Sequence, residues 1–85
     1  MEHCYFIIGI RVEKRVQSAV HIQEVLTRHG SRIRARLGLH DVGGQGENDD
    51  GLVILQVCGE KSGLEQLTGE LNGLDGVKAR LIDLN

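Results

Sequence analysis

A chain of 85 residues has room for one hydrophobic core and one domain, 1–85, and at this length folding hides roughly 60–65% of the unfolded surface. With 40% hydrophobic and 26% charged residues, it is too apolar to be disordered. A net charge of −2 argues against a protein that grips nucleic-acid phosphates with a general basic excess, and it does little to keep copies apart.

The first element in chain order is Cys4-Tyr5-Phe6-Ile7-Ile8-Gly9-Ile10-Arg11-Val12-Glu13, rich in β-branched and aromatic residues, which predicts a buried strand. Its apolar run from Cys4 to Ile10 is far too short to cross a bilayer, and no basic segment precedes it as in a signal peptide. A cytoplasmic location is the expectation that follows. Next comes a helical pattern, with Val16, Ala19, Val20, Ile22, Val25 and Leu26 on one broad face and Gln17, His21, Glu24 and Arg28 on the other. Gly30 is placed to end it in a left-handed conformation. A second strand follows in Ile33-Arg34-Ala35-Arg36-Leu37, and then a flexible acidic hairpin loop over 41–51.

That loop fails as a phosphate cradle because no helix start or lysine follows it, and it lacks the ligand spacing of a calcium loop. Beyond it, Leu52-Val53-Ile54-Leu55-Gln56-Val57-Cys58-Gly59-Glu60 predicts a third, strongly apolar strand. Leu64, Leu67 and Leu71 then recur at helical spacing, opened by a Ser62/Glu65 capping box and closed by Gly73. The last strand, Val77-Lys78-Ala79-Arg80-Leu81, repeats the pattern of the second: apolar, basic, small, basic, apolar.

The chain is therefore βαβ written twice. Two such units give the α+β, ferredoxin-like βαββαβ sandwich: a four-stranded antiparallel sheet of order 4-1-3-2 with two helices on one face. Strict alternation along the strands assigns Phe6, Ile8, Ile10, Ala35, Leu37, Leu55 and Val57 to the side under the helices. The uncovered side receives an apolar centre of Tyr5, Ile7, Leu52, Ile54 and Ile82, together with Arg11, Arg32, Arg34 and Arg36. A monomer seldom leaves such a patch in water, so the centre is a predicted self-association surface, in a homodimer or a higher oligomer.

The candidate chemistry is sparse. Cys4 and Cys58 lie in separate strands and match neither a redox CxxC nor a zinc knuckle, so two buried thiols are expected. The row Arg32, Arg34, Arg36 can hold an anionic effector or an acidic partner, and equally can guard an edge strand against stray pairing. Among His3, His21, His29 and His40 no close pair forms, so a metal site would need residues from two subunits, with His40 and His29 its main donors. RNA stacking on the open sheet would require more aromatic residues than Tyr5. Neither a nucleophile motif nor a carboxylate pair points to catalysis, so no enzyme activity, cofactor or metal is expected.

Ile7-Ile8-Gly9-Ile10-Arg11-Val12-Glu13, Arg36-Leu37-Gly38-Leu39, Leu67-Thr68-Gly69-Glu70-Leu71 and Gly76-Val77-Lys78, in this order and spacing, resemble the short iron-only hydrogenase system regulators. The resemblance implies a fold akin to ACT domains and to the C-terminal domain of the nickel-responsive repressor, and a transcriptional or other regulatory role near hydrogenase maturation. It departs from the nickel repressor where that protein holds its metal: the HxH position reads Gly38-Leu39-His40, and the cysteine position falls near Gly51. The first strand starting close to Met1 leaves no ribbon-helix-helix arm in this sequence.

These readings converge on a homo-oligomeric regulatory or sensing module that binds a small effector or a protein partner at a subunit junction. Arg36 and His40 are its first candidate ligand-binding residues, with Arg34 and Arg11 after them. The alternatives are a metal-binding module with an intersubunit histidine site, and nucleic-acid binding through the arginine edge strand. Membrane association is not expected.

Overall fold

The two most apolar segments of the chain take the two central positions of one antiparallel sheet, where both flanks are hydrogen-bonded. In the computed structural model, which describes residues 3–13, 18–39 and 50–85, β1 (His3–Val12) lies between β3 (Gly51–Gly59) and β4 (Val77–Asp83), and β2 (Ile33–Leu39) closes the other edge. The order β2-β3-β1-β4 is the predicted 4-1-3-2 read from the opposite side. Helices α1 (Ala19–Arg28) and α2 (Lys61–Asn72) complete the βαββαβ topology. The second predicted helical face holds: Leu64, Leu67 and Leu71 of α2 are fully buried against Ile8, Ile10 and Leu55 of the sheet. From α1, only Ile22, Val25 and Leu26 enter the core, while Val20 is 67% exposed. Val16 and Gln17 lie outside the described residues, as do His40 and residues 41–49 of the predicted loop.

Several local expectations are corrected. Helix α2 starts earlier than the Ser62/Glu65 capping box requires. The amides of Gly63 and Leu64 both donate to the Glu60 carbonyl, so Ser62 is already inside the first turn and no side chain caps the helix. Neither Gly30 nor Gly73 is left-handed. Helix α1 leaves through a 3-10 turn over Gly30–Arg32, and the left-handed turn after α2 falls at Gly76, with φ of 70°.

The cysteines are not free thiols. A register shift in β1 between His3 and Phe6 sets Cys4 directly across from Cys58, with Cα atoms 4.1 Å apart, and a disulfide joins them. Uniform alternation placed no such pairing on the sequence.

The largest correction concerns β2. Ile33 pairs with Val57, but Ala35 pairs with Gln56, so a bulge consumes one residue between them. From that point every side chain changes sides. Arg36 pairs with the buried Leu55 and donates to the Gln23 side chain of α1 at 2.9 Å, on the helix side. Leu37 pairs with Ile54 and faces away from the helices, 54% exposed. Arg32 leaves the sheet altogether, in the 3-10 turn, where its side chain lies over Gly59 and Gly63. The predicted row of three arginines on the open face therefore does not exist.

Candidate functional site: the open face of the sheet

The face without helices is built in cross-strand rows. Ile7 lies between Gln56 and Ile82, Gly9 between Ile54 and Arg80, and Arg11 between Leu52 and Lys78. The bulge in β2 extends each row with an apolar residue: Ala35 beside Gln56, Leu37 beside Ile54, and Leu39 beside Leu52. Tyr5 and Leu84 continue the surface at one end, 72% and 65% exposed, tied by the Leu84 amide donating to the Tyr5 carbonyl. Of the five residues expected at an apolar centre, the pairing places Ile7, Leu52, Ile54 and Ile82 on this face, Tyr5 stands exposed at the β1 irregularity, and Leu37 and Leu39 enlarge the face.

Among the described residues of this face, charge gathers toward one corner. Arg11 and Lys78 stand directly opposite each other, and Arg80 follows Lys78 on the same face of β4. Arg11 turns toward β3, where its Nε and a terminal nitrogen reach Asp50 at 2.9 and 2.8 Å.

Each edge of the sheet carries a feature that hinders strand addition. At β4, the Asn72 amide donates to the Ala79 carbonyl at 3.0 Å and accepts from the Ala79 amide at 2.7 Å. One side chain from the end of α2 thereby occupies the outward backbone groups of Ala79, which an incoming strand would use. At β2, the bulge and the charges of Arg34 and Arg36 serve the same end. The face carries no comparable guard.

The four predicted ligand-binding residues do not form one site. Arg11 is on the open face, Arg36 is on the helix side, and Arg34 donates to the Ser31 carbonyl at 2.8 Å near the bulge. His40 lies outside the described residues. Among the described residues no group of three or more His, Cys, Asp or Glu side chains is placed to hold a metal ion. Cys58 is committed to its disulfide.

A polar cluster escaped the sequence. His29, 7% exposed at the end of α1, reaches Glu70 of α2 at 2.8 Å through Nε2 and Arg32 at 2.9 Å through Nδ1. Arg28 reaches the other Glu70 oxygen at 2.8 Å. The hydrogen bond from Arg28, and then that from His29, hold the Glu70 carboxyl below its ordinary range. His29 and Glu70 are 41 residues apart, so no local spacing announces the contact. The cluster clasps the two helices.

No family model matches the chain, and no curated protein matches it. Among solved structures it is similar to the uncharacterized protein TM1266 from Thermotoga maritima, at 22% identity and a TM-score of 0.85 over 100% of both chains. That likeness carries the fold. Among the described residues no helix is long and apolar enough to cross a membrane.

Proposed function

We propose that this protein is a regulatory module without catalytic activity of its own, in which two copies pair through their open sheet faces and a small effector acts at the junction. The carrying observation is the apolar face itself: Leu37, Ile54, Ile7 and Ile82 form a band across all four strands, while both sheet edges are guarded. A second copy offers the same unguarded surface and is the simplest cover. Four strands with edge members of seven residues give a face of roughly 450 Å2, or about 900 Å2 for two copies. One sheet face is a small contact, which suits an assembly that a ligand can shift. The resemblance to iron-only hydrogenase system regulators supports a role beside hydrogenase maturation, and hydrogenase-maturation genes adjoining this one would strengthen it.

Sedimentation equilibrium over a concentration series tests the pairing. The 9.3 kDa chain is expected to approach twice that mass, and Ile54→Asp to remain single. A single-subunit mass at every concentration in the unaltered protein would end the proposal.

A further inference from the structure

We infer that the boundary between the basic corner and the apolar band, floored by Gly9, binds a small amphiphilic monoanion, a carboxylate on an apolar body. The inference rests on the reading of this face as an effector-bearing junction and names the class of effector. Gly9 is the first observation. It sits in the interior of a central strand, where glycine is unfavourable, and it has no positive φ to require it. A Cβ built there meets nothing within 4 Å, so the chain itself does not need the space. The vacant spot lies between Ile54 and Arg80, where the apolar and charged parts of the face meet.

Charge supplies the second observation. Arg11 and Lys78 are directly opposed, which is repulsive unless an anion intervenes. Asp50 answers Arg11, and among the described residues neither Lys78 nor Arg80 has an ion-pair partner. Glu13 borders the same corner, and with Arg11, Lys78, Gly76 and Val77 it lines a hollow of about 370 Å3 where β1 ends and β4 begins, next to the row that holds Gly9 and not over Gly9 itself. Among the described residues of this corner, three cations stand against two carboxylates, an excess of one positive charge that a monoanion balances. Guanidinium and ammonium groups suit a carboxylate head, and the floor at Gly9 gives its apolar body a path toward Ile54 and Ile7.

Phenylacetate is the probe, with phenylacetamide as its neutral counterpart at the same ionic strength, in a titration followed by amide resonances. Saturable shifts are expected at Gly9, Ile54 and Lys78, with phenylacetate binding about tenfold or more tightly than the amide. The pair Lys78→Gln and Arg80→Gln should remove that advantage. Gly9→Val should block both probes while its thermal unfolding stays near that of the parent; if Gly9→Val does not fold, Gly9→Ala with weakened binding serves. Equal binding of the two probes, shifts centred elsewhere, or no saturation overturns the inference. Sedimentation of the same samples separates the two proposals. Pairing without phenylacetate binding removes the site and leaves the assembly, whereas binding by a chain that stays single removes the assembly and leaves the site.

Discussion

A guanidinium can only donate hydrogen bonds, and this fixes the proton on His29. Its Nδ1 faces Arg32 and must accept, so Nε2 carries the hydrogen and donates to Glu70. Gly63 is part of the same arrangement: a Cβ there would come within 2.9 Å of the Arg32 guanidinium carbon and push that donor off the imidazole. Glu70, hydrogen-bonded by Arg28 and His29, loses its proton more readily in the folded chain than in the unfolded one. A depressed carboxyl contributes stability that is fully present above its ordinary value of 4.5 and is lost as pH falls through the lower folded value. Thermal unfolding followed from about pH 6 to about pH 3 should therefore drop in the parent and drop less steeply in Glu70→Gln. Asp83, held down chiefly by its hydrogen bonds from Asn85, keeps part of the slope in both proteins. Parallel curves for the two would show that the clasp is not formed in solution.

At the scale of elements, the sequence carried the architecture because both halves state it independently through period-2 strands and period-3.6 helices. From Phe6 onward the faces of β1, β3 and β4 were equally legible: Phe6, Ile8 and Ile10 alternate with Ile7, Gly9 and Arg11, and the pairing confirms it. For β2, the same rule misled. In Ile33-Arg34-Ala35-Arg36-Leu37-Gly38-Leu39 an uninterrupted strand puts Leu37 under the helices, and nothing in the residue types marks where a residue is skipped. An edge strand buries little, so its register is only weakly written in its hydrophobic pattern. The consequence is measurable. Leu37→Lys should cost no more than about 0.5 kcal/mol in urea denaturation at protein concentrations too low for pairing, because the new side chain points into water. Leu55→Ala, on the buried side of the neighbouring strand, should cost about 2–5 kcal/mol in the same assay. A comparable loss for Leu37→Lys would return that side chain to the core and undo the enlarged open face.

For the molecule as a whole, a domain this small has little core to spare, and the Cys4–Cys58 bridge ties its first strand to its third across a separation of 54 residues. Closing a loop of that length in the unfolded chain is worth about 4 kcal/mol in the chain-entropy description. The bridge joins the outer ends of two strands that are already adjacent, at the Tyr5 end of the open face and away from the rows through Ile7 and Gly9. Stability and pairing should therefore respond differently to its loss. Cys4→Ser/Cys58→Ser, compared with the oxidised parent at one protein concentration, should unfold at lower urea by an amount near that figure. Its sedimentation should still show pairing, because Ile7, Ile54, Ile82 and Leu37 keep their places. If the free energy of unfolding does not change, the thiols are not joined in the native protein. If stability falls and pairing disappears with it, the Tyr5 end of the face carries the contact that is here assigned to its centre.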